Sequence, residues 1–306
     1  MIRVEIYERL EAAAVAEVLE LVEAGARADG LSALNEQTIL NLRHGGAEAE
    51  PGAHLMIRDA EGTLVGYANL ELDNDGVAAV EMLVHPTHRH NGHGEALLAA
   101  LIKRATAAKC RALTIWAHGD HPTALLLADR HDFTRDRVLW QMRRHLTDAD
   151  GDGEPAAGIT IRSFVPGRDE TRLLEVNNAA FADHPDQGGW TVRDIAMRER
   201  EDWFDPEGLL LAERDVDGQV LGFHWTKVHG SGDSAIGEIY VLGVAPEAQG
   251  LKLGAALTTA GLRYLRGRGL DTVMLYVDES NVRAVRLYTG AGFTRWTTDV
   301  NYHKKL

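Results

Sequence analysis

"VLGVAPEAQGLKLGAALTTAGLRYL", residues 241–265, has a near-twin upstream in "MLVHPTHRHNGHGEALLAALIKRA", residues 82–105. In each, a short apolar run ends at a Pro, a Gly-bearing loop follows, and an amphipathic helical pattern begins. Leu257, Leu262 and Leu265 are the apolar positions of the second helix. Outward from this element, Val84 pairs with Val244, Pro86 with Pro246, Arg89 with Gln249 and Gly94 with Gly254, each 160 positions apart (84 to 244, for example). "HDFTR", ending at Arg135, pairs with "AGFTR", ending at Arg295, at the same offset. Upstream, "GTLVGYANLEL" (62–72) mirrors "GQVLGFHWTKV" (218–228) as two strands with an apolar–Gly–aromatic centre. Agreement of spacing and residue type over so long a span identifies a duplicated unit.

Within each half the periodicity changes in the same order. Helical patterns come first, over Leu10 to Ala24 and Glu170 to Ala182, and alternating strands follow. Then come the Gly loop, a helix such as Ala255 to Arg266, and a strand, "LTIWAH" (113–118) or "TVMLYVD" (272–278). A short helix and a last strand close each half. This order predicts an α/β chain with a mixed, mostly antiparallel sheet flanked by helices, built twice. A length of 306 residues fits two domains of about 150 each. Between the halves, "TDADGDGEPAAG" (147–158) reads as a solvated linker. Asp148, Asp150, Asp152 and Gly153 imitate the start of a calcium loop, but its twelfth position, where a bidentate Glu belongs, is Ile159. The expected domains are 1–146 and 159–306.

A net charge of −14 argues against nucleic-acid binding, which needs a basic face. The one cysteine, Cys110, allows no intrachain disulfide and fits a reducing cytoplasm, and it reads as a small residue near a helix end. "MIRVEIYERL" carries charges where a signal peptide needs an apolar core, and no apolar run reaches membrane-spanning length. His85, His88, His90 and His93 crowd the first loop without Cys or acidic ligands in ordered spacing, so no metal is expected. The expectation is a cytoplasmic monomer that binds neither nucleic acid nor membrane.

A strand feeding a loop of free amides at a helix N-terminus is an anion site, because unpaired N–H groups and the helix dipole point the same way. "RHNGHG" (89–94) and "QGLKLG" (249–254) occupy that place, with Lys252 standing where the first copy has Gly92. An Arg or Gln, two residues, a Gly, one residue and then Gly, after an apolar strand ending in x-Pro, resembles the GNAT acyltransferases. The resemblance covers nearly the whole chain and implies two tandem GNAT domains with acetyl-CoA as donor. It places the cofactor in the second half at Leu242, Gly243 and Val244, in the loop Gln249, Gly250, Leu251, Lys252, Leu253, Gly254 and Ala255, and at Asn281, Val282, Arg283, Ala284, Val285 and Arg286. In the first half it implies Met82, Leu83 and Val84 with Arg89, His90, Asn91, Gly92, His93 and Gly94.

"FADHPDQGGWT" (181–191), "WFDPEGLLLAE" (203–213), "LGFHWTKVH" (221–229), "GEIYVLGV" (237–244) and "LYVDESNVRAVRLYTGAGF" (275–293) are similar to the mycothiol synthase branch of the tandem GNAT proteins. That likeness implies acetylation of the cysteinyl amine of a cysteinyl-glucosaminyl-inositol conjugate. It gives Glu238 the role of base and Tyr288 that of the acid for the leaving thiolate, and it sets Glu36, Asp186, Lys227, Glu238 and Tyr276 on the substrate. The branch has Glu where this chain has Asp186. A shift by 160 carries position 238 to Ala78 and 288 to Ala128, so the first half is expected to bind without reacting. Two rival functions are another small amine as acceptor, such as an aminoglycoside, and a non-catalytic coenzyme A sensor, which would need neither Glu238 nor Tyr288.

Overall fold

The computed structural model of the chain describes residues 2–44, 52–72, 75–147, 155–182 and 187–306. In chain order the first elements are β1 (Glu5–Tyr7), α1 (Ala12–Asp29), α2 (Glu36–His44), β2 (Gly52–Arg58), β3 (Leu64–Leu72), β4 (Val77–Val84), α3 (His93–Ala107), β5 (Ala112–Ala117), α4 (Pro122–Arg130) and β6 (Thr134–His145). Then follow β7 (Ile159–Ser163), α5 (Glu170–Ala180), α6 (Val192–Arg198), β8 (Leu209–Arg214), β9 (Val220–His229), β10 (Ile236–Val244), α7 (Leu253–Gly267), β11 (Thr272–Asp278), α8 (Val282–Gly290) and β12 (Thr294–Lys305). The duplicated order read from the sequence is present element for element from β3 to α4 and from β9 to α8.

Two compact units divide the chain: Met1–Leu139 with Thr297–Leu306, and Trp140–Trp296. The divisions fall inside β6 and β12, not at 147–158. Strand pairing is the reason. The end of β12 is zipped onto β5, from Val300 opposite Ala117 to Lys305 opposite Ala112, so the chain's last residues belong to unit 1. Leu146 donates its amide to Asp271 O at 2.9 Å and so stays with unit 2. Composition marks a solvated stretch but cannot reveal which strand a terminal segment joins. Residues 148–154, including the calcium-like Asp positions, lie outside the described residues.

In unit 1, β4 runs antiparallel to β3 and parallel to β5. One sheet face packs on α3 through Leu97, Leu98 and Leu101, with Cys110 buried in the same cluster. The other face takes Val18, Leu21 and Val22 of α1 against Met56, Tyr67 and Leu83. Unit 2 repeats the plan, with β10 antiparallel to β9 and parallel to β11. Leu173 and Val176 of α5 cluster with Phe223 and Trp225, while Leu262 and Leu265 of α7 cover Ile239, Val273 and Leu275. Each such buried side chain adds about 1.5–3 kcal/mol of hydrophobic stabilisation. The cores thereby fix the strand ends from which the functional side chains project. Among the described residues no helix is long and apolar enough to cross a membrane.

Candidate active site

The site begins where strand pairing stops. The parallel ladder of β10 and β11 ends at Ile239 opposite Leu275, so β10 runs on from Tyr240 to Val244 with its β11-facing edge unpaired. On its other side β10 stays paired with β9, but the register slips between Ile239 and Val241, leaving Tyr240 as a one-residue bulge. A bulge bends its strand and re-aims the neighbouring side chains. At the far end of the strand the loop turns into α7. Gly250 (φ 95°) and Lys252 (φ 57°) are both left-handed, and the amides of Gly250, Lys252, Leu253 and Gly254 donate to no described residue. A string of free amides at the start of a 15-residue helix is a nest for an anion.

The first copy takes the same backbone path with its glycine at the other left-handed position. His90 (φ 63°) stands where Gly250 does, and Gly92 (φ 81°) where Lys252 does. Each loop therefore holds one non-glycine residue left-handed, a conformation that is unfavourable by about 1–2 kcal/mol. The departure at Lys252 is thus matched by one at His90. Arg89 is engaged with Asp29 at 2.6 Å and with Val84 O at 3.3 Å. In unit 2, Arg283 donates to Gln249 Oε1 at 2.7 Å, tying the start of α8 to the loop, and the Asn281 side chain caps α8 on the Ala284 amide.

Glu238 lies one residue before the last position of β10 that pairs with β11. Its side chain is buried, and its Oε2 is 2.7 Å from Nε2 of His229 on β9. Lys227 is its register partner across the strands. The Lys227 ammonium stands over the Trp203 ring at 4.5 Å and the Tyr240 ring at 5.3 Å, while Arg198 of α6 donates to the Tyr240 hydroxyl at 2.6 Å. Lys227 also lines a cavity of about 400 Å3 with Trp203, Asp205, Thr226, Tyr264 and Arg268. On its wall Tyr264 donates to Asp205 at 2.5 Å, and burial together with that carboxylate pushes the phenol up to about 12. The volume is in the range of small-molecule sites.

Tyr288 is buried on α8 and meets Phe293 edge to face, with ring centroids 5.9 Å apart. Burial pushes its phenol well above the ordinary tyrosine range, so the hydroxyl keeps its proton at neutral pH. Tyr276, on β11 just past the last paired residue, accepts a hydrogen bond from Gln141 at 2.8 Å. Glu36 is the first residue of α2 and belongs to unit 1. Asp186 lies outside the described residues.

In unit 1 the ladders correct the expected counterpart of Glu238. Glu71 of β3 faces Ala79, and Thr114 of β5 also faces Ala79, whereas the matching Lys227 and Met274 face Glu238. The bulge at Tyr240 adds one residue, so the counterpart is Ala79 and not Ala78. Neither alanine can accept a proton. The counterpart of Tyr288 is the buried Ala128. Unit 1 does bury titratable groups elsewhere. Glu81 Oε1 accepts from the Asn35 amide at 2.8 Å, its Oε2 is buried with no hydrogen-bond partner among the described residues, and burial pushes its pKa up to about 7. His118 is 2.9 Å from Asp299 Oδ2, a contact that outweighs burial and raises its pKa.

Residue pattern gave no reason to single out His229, Trp203, Tyr240 or Arg198. The available signal was the alternation in "HWTKVH", which sets Trp225, Lys227 and His229 on one strand face.

The profile of the acetyltransferase (GNAT) family matches residues 18–133 and again 171–293. The mycothiol acetyltransferase of Thermomonospora curvata is 51% identical over 290 residues, 94% of this chain and 93% of the relative. That of Salinispora tropica is 50% identical over 303 residues, 98% of this chain and 96% of the relative. Among solved structures, a tandem GNAT protein from the clavulanic acid biosynthesis pathway matches with TM-score 0.74 at 21% identity, covering 99% of this chain and 98% of that one. A GCN5-related N-acetyltransferase from Sphaerobacter thermophilus matches with TM-score 0.67 at 24% identity, covering 99% and 95%. At these identities the structural likeness speaks for the fold.

Proposed function

Because the chain belongs to the acetyltransferase (GNAT) family and carries that fold twice, we propose that unit 2 acetylates the cysteinyl amine of a cysteinyl-glucosaminyl-inositol conjugate, giving mycothiol. The names of the relatives at 50–51% identity support this substrate. Acetyl-CoA, when bound, supplies the activated acetyl thioester. The free amides of Gly250, Lys252, Leu253 and Gly254 suit its pyrophosphate. Leu242, Gly243 and Val244 offer the open strand edge, and Asn281 to Arg286 at the start of α8 complete the cofactor side.

Glu238 takes the ammonium proton and frees the nucleophile, since an α-amine is largely protonated below about pH 8. Tyr288 donates its hydroxyl proton to the departing thiolate, and its burial keeps that proton available. Lys227 and Tyr276 hydrogen-bond the hydroxyl-rich part of the substrate, which an apolar pocket could not orient. Lys227 links the base to the polar cavity, being opposite Glu238 and part of the lining. The observation that carries the reading is the buried Glu238 at the point where β10 parts from β11, on the strand that leads into the amide nest.

The test is acetyl-CoA consumption with the cysteinyl conjugate against the same conjugate lacking cysteine. Consumption with the first and none with the second is expected. Equal rates would refute the cysteinyl amine as acceptor, and faster turnover of an aminoglycoside would favour the rival substrate.

A further inference from the structure

A base that takes one proton per turnover must also lose one per turnover. Glu238 is poorly placed to lose it to water, because its side chain is 8% exposed. His229, 2.7 Å away through Nε2, is 35% exposed. The two are diagonal neighbours across β9 and β10, with His229 opposite Ile236 and Glu238 opposite Lys227. One ring nitrogen thus touches the buried carboxylate while the side chain reaches the surface. Neighbouring groups have contacts of their own. Lys227 is held over Trp203 and Tyr240, the Tyr240 hydroxyl is bonded to Arg198, and β11 sets the uncharged Met274 opposite Glu238.

We propose that His229 is the positioning and proton-exit residue for Glu238, an inference that rests on the role given to Glu238 above. The substrate ammonium gives one proton to the Glu238 carboxylate. The resulting carboxylic acid passes it to Nε2 of neutral His229, and the imidazolium releases a proton from Nδ1 to water. Exchange with water then restores the starting tautomer. One proton leaves for each amide formed, as the balance of ammonium plus thioester giving amide plus thiol requires. Imidazole suits the task because its two ring nitrogens can take a proton on one side and release one on the other.

The test compares His229→Gln, His229→Ala and Glu238→Gln by kcat and KM for the amine, across pH and with added imidazole. Gln keeps a hydrogen-bonding amide beside Glu238 Oε2 but cannot carry a proton. His229→Gln is expected to lower kcat roughly ten- to a hundredfold near pH 7, less than loss of a direct base, with KM almost unchanged. Imidazole restores part of the rate of His229→Ala and none of that of Glu238→Gln. If His229→Ala fails to fold, His229→Gln decides alone. A His229→Gln enzyme with the parent kcat and pH profile, while Glu238→Gln is inactive, overturns the relay and leaves the base in place. A Glu238→Gln enzyme with the parent rate near pH 7 overturns the reading on which the relay rests.

Discussion

The strand that leads into the amide loop is regular in unit 1 and bulged in unit 2. In β4 the pairing with β3 runs unbroken from Ala78 to Val84, whereas β10 gains one residue at Tyr240. Both parallel ladders nevertheless stop at the same place, after Val80 in one unit and Ile239 in the other. Both loops then follow one backbone path using glycine at different left-handed positions. Duplication has preserved the frame for an anion and the gap beside it. The proton chemistry proposed for unit 2 depends instead on a few side chains. Ala79 and Ala128 stand in unit 1 where Glu238 and Tyr288 stand in unit 2, so the proposed reading has both copies offering an anion nest and only one carrying proton-transfer side chains.

The largest expected effect falls on the acid. Tyr288→Phe removes only a hydroxyl from a buried ring, so it should lower kcat roughly a hundred- to ten-thousandfold with little change in KM for acetyl-CoA. Steady-state kinetics on the folded variant check this, and a normal rate would remove Tyr288 from the mechanism and erase half of the contrast with Ala128.

A strong but pH-dependent loss is expected for Glu238→Gln. Without the base only substrate already deprotonated can react, so the rate should be low near pH 7 and recover partly as pH rises through the amine's range, near about 8. A pH–rate profile tests this. An equal loss at every pH would mean that Glu238 positions substrate without handling its proton.

The smallest effect concerns Glu81, a unit 1 carboxyl that serves structure. Its pKa is about 7 in the fold against an ordinary 4.5, so between those values the folded state binds more protons than the unfolded one. Its contribution is fully present below about pH 4.5 and is lost as pH rises through about 7, a swing of about 3 kcal/mol. His118, also raised, acts in the same direction. Glu81→Gln keeps the acceptor for the Asn35 amide and should flatten the fall in stability between about pH 5 and 8, as followed by thermal unfolding. An unchanged slope would show that burial of Glu81 does not govern it.

Much of this contrast was legible in the residues. Pro86 and Pro246, Gly94 and Gly254, and the Phe133 and Phe293 pair mark the repeat, and they located both loops and the helices after them. Glu238 and Tyr288 stood out as proton-transfer groups through the family resemblance, and the structure sets Glu238 at the mouth of the gap. The bulge was not legible, because "GEIYVLGV" reads as plain alternation and only the partner strand reveals an extra residue. That is why Ala78 was expected where Ala79 stands. His229 was hidden for a similar reason, since a diagonal cross-strand contact depends on register. The division of β6 and β12 between the units was hidden because pairing of the chain's last strand with β5 joins residues far apart in sequence.

The central claim, one reacting copy beside one binding copy, is tested most directly by turnover of Gly254→Glu against Gly94→Glu. Neither added side chain meets a clash at its first atom, since a Cβ would lie 3.5 Å from Leu287 at one site and 4.0 Å from Val84 at the other. Each carboxylate opposes an anion in its own loop. The account predicts that folded Gly254→Glu enzyme has lost turnover while folded Gly94→Glu enzyme retains it. A dead Gly94→Glu enzyme beside an active Gly254→Glu enzyme would contradict it.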